Sequence, residues 1–354
     1  MGGRTGSREL LLLGIRGVPA AHGGFETFAE RLVLWLRDRG WRVTVFCQGS
    51  ATGRREADEW EGVRRVHVPV RRDGAAGTVE FDIASTREAL AMPGLILTLG
   101  YNTGFLSSWV RARGRRNVIN MDGLEWKRRK YGRGARAYLW LNERLAARAG
   151  DRLIADHPSI ADHLATRAPR SRIVMIPYGS EEVADADPAL LAPLGLANRR
   201  FATLIARPEP ENSVLEIVRA WSARRRDVTL AVLGAYARSH SYQASVLDAA
   251  GAEILFPGAI YDKPTLAALR LNSVVYCHGH QVGGTNPSLV EALGAGGAVV
   301  AHDNPFNRWV AGEAGRYFRD ETGCAALLDA LLDDEATLAG MRGAARARWR
   351  KEFT

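Results

Sequence analysis

A chain of 354 residues, 46% of them apolar and 25% charged, has material for two cores of ordinary size and lies far from the composition of a disordered protein. Its only cysteines, Cys47, Cys277 and Cys324, are too few and too scattered for a disulfide framework or a paired-cysteine zinc site, which fits a reducing cytoplasm. The early run LLLGI is too brief for a signal-peptide core, and no apolar stretch approaches the roughly 18–20 residues of a spanning helix, so membrane contact is expected to be peripheral.

Along the chain, short β-branched or leucine-rich runs alternate with longer amphipathic stretches, the pattern of βαβ units around parallel sheets. Strands are expected at Glu9–Gly14, Arg42–Cys47, Arg64–Val68, Leu95–Leu99, Asn117–Asn120, Arg152–Ala155 and Ile173–Ile176. Phe25, Phe28, Leu32 and Leu36 recur at helical spacing after the first of them, and Gly40 stands where a helix stop is expected. A second series follows at Phe201–Ile205, Val228–Leu233, Glu253–Phe256, Ser273–Tyr276 and Ala298–Ala301. The expected architecture is α/β, two doubly wound Rossmann-like domains with ligand beyond the carboxyl ends of both sheets, in a cleft between them. Residues 8–180 form the first domain, 181–200 a linker region rich in Ala, Pro and Asp, and 201–335 the second. Residues 336–354 read as a helical segment, broken off where the sequence stops.

The charge of +9 is unevenly spread: between Leu106 and Gly150 twelve Lys or Arg face three acidic residues, an excess as large as that of the whole chain. Trp126, Tyr131, Tyr138 and Trp140 are interleaved with these cations, a composition suited to anionic lipid headgroups or a pyrophosphate-linked lipid. RNA would suit it too, but no RNA-binding signature accompanies it.

Four segments carry candidate chemistry. In GIRGVPAAHGGFETFAERL, Gly17, Gly23 and Gly24 lie between a strand and a helix, with Phe25 directly behind, where backbone amides favour a diphosphate; a tight turn needs the same glycines. The spacing is neither GxGxxG nor GxxxxGK, which argues against nicotinamide and ATP. In NMDGLEWKRRKYG, Asp122 stands in a loop after a strand, able either to orient an attacking hydroxyl or to cap a turn. In ARPEPENS, Arg207 follows a strand directly; an arginine there reaches bidentately across a diphosphate or simply decorates a domain edge. In HGHQVGGTNPSLVEALGAGG, a loop with Gly283, Gly284, Thr285 and Asn286 leads into a helix begun by Pro287. The amides there point at a pocket, and Glu291 is placed to accept ribose hydroxyls or to complement the helix dipole. His278 and His280 alternate at a strand end without a third ligand at a recognisable spacing, so no metal is assigned.

Taken together and in this order, the four motifs resemble the bacterial rhamnosyltransferase-type branch of the large retaining glycosyltransferase family that includes sucrose synthase and bacterial mannosyltransferases. The resemblance spans nearly the whole chain. It implies a GT-B fold, metal-independent transfer with retention of configuration, a donor such as dTDP-L-rhamnose, and a glucose or N-acetylglucosamine on a polyprenyl diphosphate as acceptor. It carries Gly23 and Gly24 onto the loop that approaches the donor diphosphate, Arg207 onto the arginine that neutralises it, and Glu291 onto the second glutamate of the family's paired-glutamate motif, which holds the ribose. Asp122 falls in the region near donor sugar and acceptor. Two positions depart from the pattern: Gly283 stands where the first glutamate is expected, and Asn212 where a lysine usually accompanies the arginine. The implied protein is cytoplasmic, peripheral to the inner face of the plasma membrane, needs no cofactor beyond the nucleotide sugar, and has no nucleic-acid partner. A nucleotide-sugar epimerase and a non-catalytic lipid-linked-glycan binding protein are the rival readings.

Overall fold

A computed structural model describes residues 8–20, 24–128 and 131–354. The chain divides into two compact units, Met1–Ile176 and Pro177–Thr354.

The first unit runs β1 (Glu9–Leu13), α1 (Gly24–Arg37), β2 (Arg42–Gly49), β3 (Glu56–Trp60), β4 (Val63–Pro69), α2 (Gly74–Ala91), β5 (Leu95–Leu99), α3 (Phe105–Ala112), β6 (Asn117–Asn120), α4 (Arg133–Ala149), β7 (Arg152–Ala155), α5 (Pro158–Ala165) and β8 (Ile173–Met175). Its eight strands lie in the order β3-β4-β2-β1-β5-β6-β7-β8. All neighbours are parallel except β3 and β4. Strands covered by helices on both faces read as near-continuous apolar runs, which is why ELLLL and LILTL stand out in the sequence. β3 was not expected: EADEW is exposed along almost its whole length and pairs only with β4, through a two-residue turn in which Glu61 and Gly62 both have positive φ.

The second unit runs β9 (Phe201–Ile205), α6 (Val214–Ser222), β10 (Thr229–Leu233), α7 (Ser241–Asp248), β11 (Ile254–Gly258), α8 (Lys263–Asn272), β12 (Tyr276–His278), α9 (Pro287–Gly294), β13 (Val299–His302), α10 (Pro305–Ala311), β14 (Gly315–Phe318), α11 (Glu321–Leu331) and α12 (Glu335–Glu352). The sheet order is β11-β10-β9-β12-β13-β14, all parallel. Trp221 anchors one core from α6, fully buried, its indole N–H donating to the Val228 carbonyl at 3.0 Å. Residues 181–200, read from sequence as a linker, lie in this unit: Pro188–Leu194 form a 3-10 helix, and Leu191 and Leu196 join Phe201 and Leu233 in a core. α12 packs on α9, and the Phe353 carbonyl accepts the Ser180 amide at 3.0 Å.

One strand is shifted. The ladder expected at Ser273–Tyr276 runs instead through Tyr276–His278, because pairing to both β9 and β13 starts at Tyr276, although Val274 and Val275 already bond to β9. His278, read from sequence at a strand end, is the last residue of this strand.

Candidate active site

In the second sheet, the connection from β9 leaves toward β10 and that from β12 toward β13, so the two strands form the switch point at whose carboxyl ends open α/β sheets bind ligands. The chain places its chemistry there. Arg207 emerges just after β9, exposed, and its side chain makes no ion pair among the described residues. Its backbone is fixed: the Asn212 side-chain amide donates to the Arg207 carbonyl at 2.9 Å, and so does the Glu209 amide at 2.8 Å. Asn212, where the resemblance implies a lysine, is thus a buried brace for the arginine loop. The loop after β12 locks onto the same segment. The Gln281 amide donates to the Glu211 carbonyl and the Gln281 side chain to the Ser213 hydroxyl, both at 2.9 Å. Ser213, buried, turns the chain with φ +47.

Gly283 and Gly284 follow, partly exposed, and a Cβ at Gly283 would meet nothing within 4 Å, which leaves open room beside the loop. Thr285 is buried. Asn286 caps α9 by accepting the Ser288 amide at 3.0 Å, with Pro287 in the first turn, as the sequence suggested. The Ser288 hydroxyl is 2.6 Å from the Tyr276 hydroxyl. Glu291 has a partner that was not foreseen. One of its oxygens takes the guanidinium of Arg270, a nearly buried residue of α8, while the carboxylate remains 41% exposed. It is held by a neighbour, not by the helix dipole, and still faces solvent.

In the first sheet the corresponding switch point lies between β1 and β5. Gly23 lies outside the described residues. Gly24 begins α1, and Phe25 packs on the core of this unit. Two α1 carboxylates reach back to the glycine loop: Glu26 accepts the Arg16 amide at 3.3 Å, and Glu30 the Ala20 amide at 2.6 Å. Asp122 follows β6 with φ +50, its amide hydrogen-bonded to the Asn120 side chain at 3.1 Å. Aspartate is among the residues that tolerate this left-handed region, which turns the loop here. The buried Tyr101 hydroxyl steadies the same loop by donating to the Gly123 carbonyl at 3.0 Å and accepting the Glu125 amide at 2.8 Å.

The basic, aromatic segment is divided between packing and surface. Glu143, buried, accepts Trp126 Nε1 at 2.5 Å, His163 Nε2 at 2.9 Å and Arg167 Nε at 3.2 Å. Burial alone pushes its carboxyl up, but the bonds from His163, Trp126 and Arg167 outweigh it and leave it below the usual range. Arg111 and Arg115 bond to backbone carbonyls, and Arg128 pairs with Glu125. What remains outward is a face of α3 and α4: Phe105, Tyr138, Trp140 and Leu141 are exposed, with the Arg144 guanidinium 3.3 Å from the Trp140 ring centre. Arg129 and Lys130 lie outside the described residues.

Beside the first switch point, a small polar cavity under α2 and α3 holds Asp82, buried, which accepts the Thr103 hydroxyl at 2.8 Å. Burial raises its carboxyl to about 6. An acid raised above its unfolded value favours the fold at pH below about 4, and that contribution is lost as pH rises through 6. Asp82→Asn keeps an acceptor for Thr103, and is expected to stabilise the first unit by about 1–3 kcal/mol at pH 7.5 and by nothing at pH 4. Thermal unfolding at the two pH values measures this.

Residues 7–181 match a family described as a domain of unknown function, DUF1972. No curated protein matches the chain by sequence. Solved structures match over nearly its whole length. Sucrose-phosphate synthase from Thermosynechococcus elongatus superposes with a TM-score of 0.80 at 18% identity, over 98% of this chain and 95% of that one. The α,α-trehalose 6-phosphate synthase from Burkholderia multivorans gives 0.76 at 13% identity, over 98% and 94%. HepE from Anabaena, solved with UDP-glucose, gives 0.74 at 15% identity, over 98% and 95%. The fold is therefore that of the GT-B glycosyltransferases, two parallel-sheet α/β domains.

Proposed function

We propose that the chain is a metal-independent retaining glycosyltransferase that moves a sugar from a nucleotide diphosphate donor, dTDP-L-rhamnose, to a polyprenyl-diphosphate-linked sugar or a growing cell-surface polysaccharide. The observation that carries this reading is the switch point between β9 and β12. There an exposed arginine without an ion pair among the described residues rises beside a glycine loop and a capped helix start, and Glu291 keeps part of its carboxylate exposed. HepE, similar in fold, was solved with a nucleotide sugar.

In this reading Arg207 and the amides near Thr285 hold the diphosphate, and Glu291 holds the ribose. As the bond from the anomeric carbon to the phosphate oxygen breaks, the acceptor oxygen bonds that carbon on the same face, and its proton passes to the departing phosphate. The growing negative charge is met by fixed donors, which is the efficient way to stabilise a leaving group. Asp122 orients the acceptor hydroxyl. A donor site without a carboxylate at Gly283 has lost one acceptor for sugar hydroxyls, which suits a deoxy sugar. The aromatic and basic face of α3 and α4 supports work at an anionic membrane surface, on the cytoplasmic side. The test is incubation with a panel of nucleotide sugars and a synthetic polyprenyl-diphosphate sugar, followed by mass spectrometry. A deoxyhexose added from dTDP-rhamnose is the expected product. A hexose added instead contradicts the donor assignment, and donor consumption without acceptor favours the epimerase.

A further inference from the structure

At the end of β12 three rings lie in a row. Tyr276 and His278 are stacked with centroids 5.9 Å apart, and His278 and His280 at 4.4 Å with 13° between their planes. His278 is buried, and neither of its ring nitrogens has a hydrogen-bond partner. A buried imidazole left so costs free energy and calls for an explanation. The parallel rings are arranged for contact between faces and not for two nitrogens converging on one ion. His280 is held in place from behind: the side-chain amides of Asn304 and Asn307 both donate to its carbonyl, each at 2.9 Å.

Strand register brings the loop that carries the outer ring next to the loop of Arg207. The last registered pair between β9 and β12 is Leu204 with Cys277, and Arg207 and His280 each stand three residues beyond it. The two residues therefore stand in the loops that leave the carboxyl ends of adjacent strands, Arg207 two residues past β9 and His280 two past β12, and Gly283, where a Cβ would meet nothing within 4 Å, follows in the second of these loops. Asn212, where the resemblance implies a lysine, donates its side-chain amide to the Arg207 carbonyl and adds no charge.

We infer that His280 binds the donor's diphosphate through a ring N–H, supplying the second donor that Asn212 does not, and that His278 serves as a stacking platform whose nitrogens take no part. This rests on the glycosyl-transfer reading above and deepens it. Burial, then the neighbouring His280, holds His278 well below the ordinary histidine range, consistent with a neutral platform. A flat apolar ring serves as well as imidazole for the platform, whereas the outer ring works only with a donor.

The experiment is calorimetric titration of the full chain with dTDP and with UDP. H280F is expected to weaken binding about ten- to hundredfold, the range for one hydrogen bond to a charged group, and H280Q, which keeps an N–H, to recover most of it. H278F is expected to bind as the wild type does. H280F binding undiminished, or H278F losing as much as H280F, overturns the inference. If H280F loses the wild-type circular dichroism spectrum, H280L is read in its place against H280Q. Wild-type protein that binds neither nucleotide contradicts the glycosyl-transfer reading itself, an outcome distinct from intact binding by H280F.

Discussion

Arg207→Ala is expected to lower turnover about 10²–10³-fold, the usual cost of removing one group that stabilises a leaving anion, and to leave thermal unfolding at the wild-type midpoint. The separation of the two effects follows from how the residue is built in. Only the backbone of Arg207 is engaged, by Asn212 and Glu209, while its guanidinium is exposed and makes no ion pair among the described residues. Among the described residues, truncation orphans no side-chain partner. Arg207→Lys keeps the charge but loses the planar fork, so it belongs between alanine and wild type. Steady-state kinetics with saturating acceptor, beside a melting curve for each variant, checks both halves of the expectation.

The second large effect comes from a residue with no side chain. A Cβ at Gly279 would collide with the Asn212 carbonyl group, 2.8 Å from its carbon, and reach 3.0 Å from the Ser213 Cβ. The colliding atoms are backbone, pinned by Gln281 and by the positive φ of Ser213, so the strain has no flexible side chain to absorb it. Gly279→Ala is expected to destabilise the second unit by about 1–3 kcal/mol. Because the segment that moves carries Arg207, turnover should fall about 10²-fold even where the protein stays folded, the cost of a misplacement of roughly 1 Å. Gly340→Ala, in the exposed part of α12 with nothing within 4 Å of the new methyl, is the control: activity unchanged and stability about 0.5–1 kcal/mol higher.

These two positions mark how far the sequence could be read. Runs such as LILTL, FATLI and TLAVL announce parallel strands because both of their faces are covered, and α1 announces itself by spacing. β3 escaped because an exposed edge strand of charged residues has no apolar signal, and β12 was placed early because Val274 and Val275 outweigh the histidine that ends it. Arg207, Asn286 and Glu291 in the second unit, and Asp122 in the first, could be singled out as candidates because each stands next to a local landmark: a strand end, a helix cap, a loop. Arg270 beneath Glu291, the carboxylates of Glu26 and Glu30 on the glycine loop, and the collision that forbids a side chain at Gly279 are contacts between distant segments. No periodicity or spacing encodes them, so they appear only once the chain is folded.

A crystal structure with dTDP bound will show whether a nucleotide diphosphate is held at the carboxyl ends of β9 and β12. Diphosphate oxygens are expected within about 3 Å of the Arg207 guanidinium, with the ribose at Glu291. A nucleotide bound elsewhere on the chain, with Arg207 still turned to solvent, would contradict it.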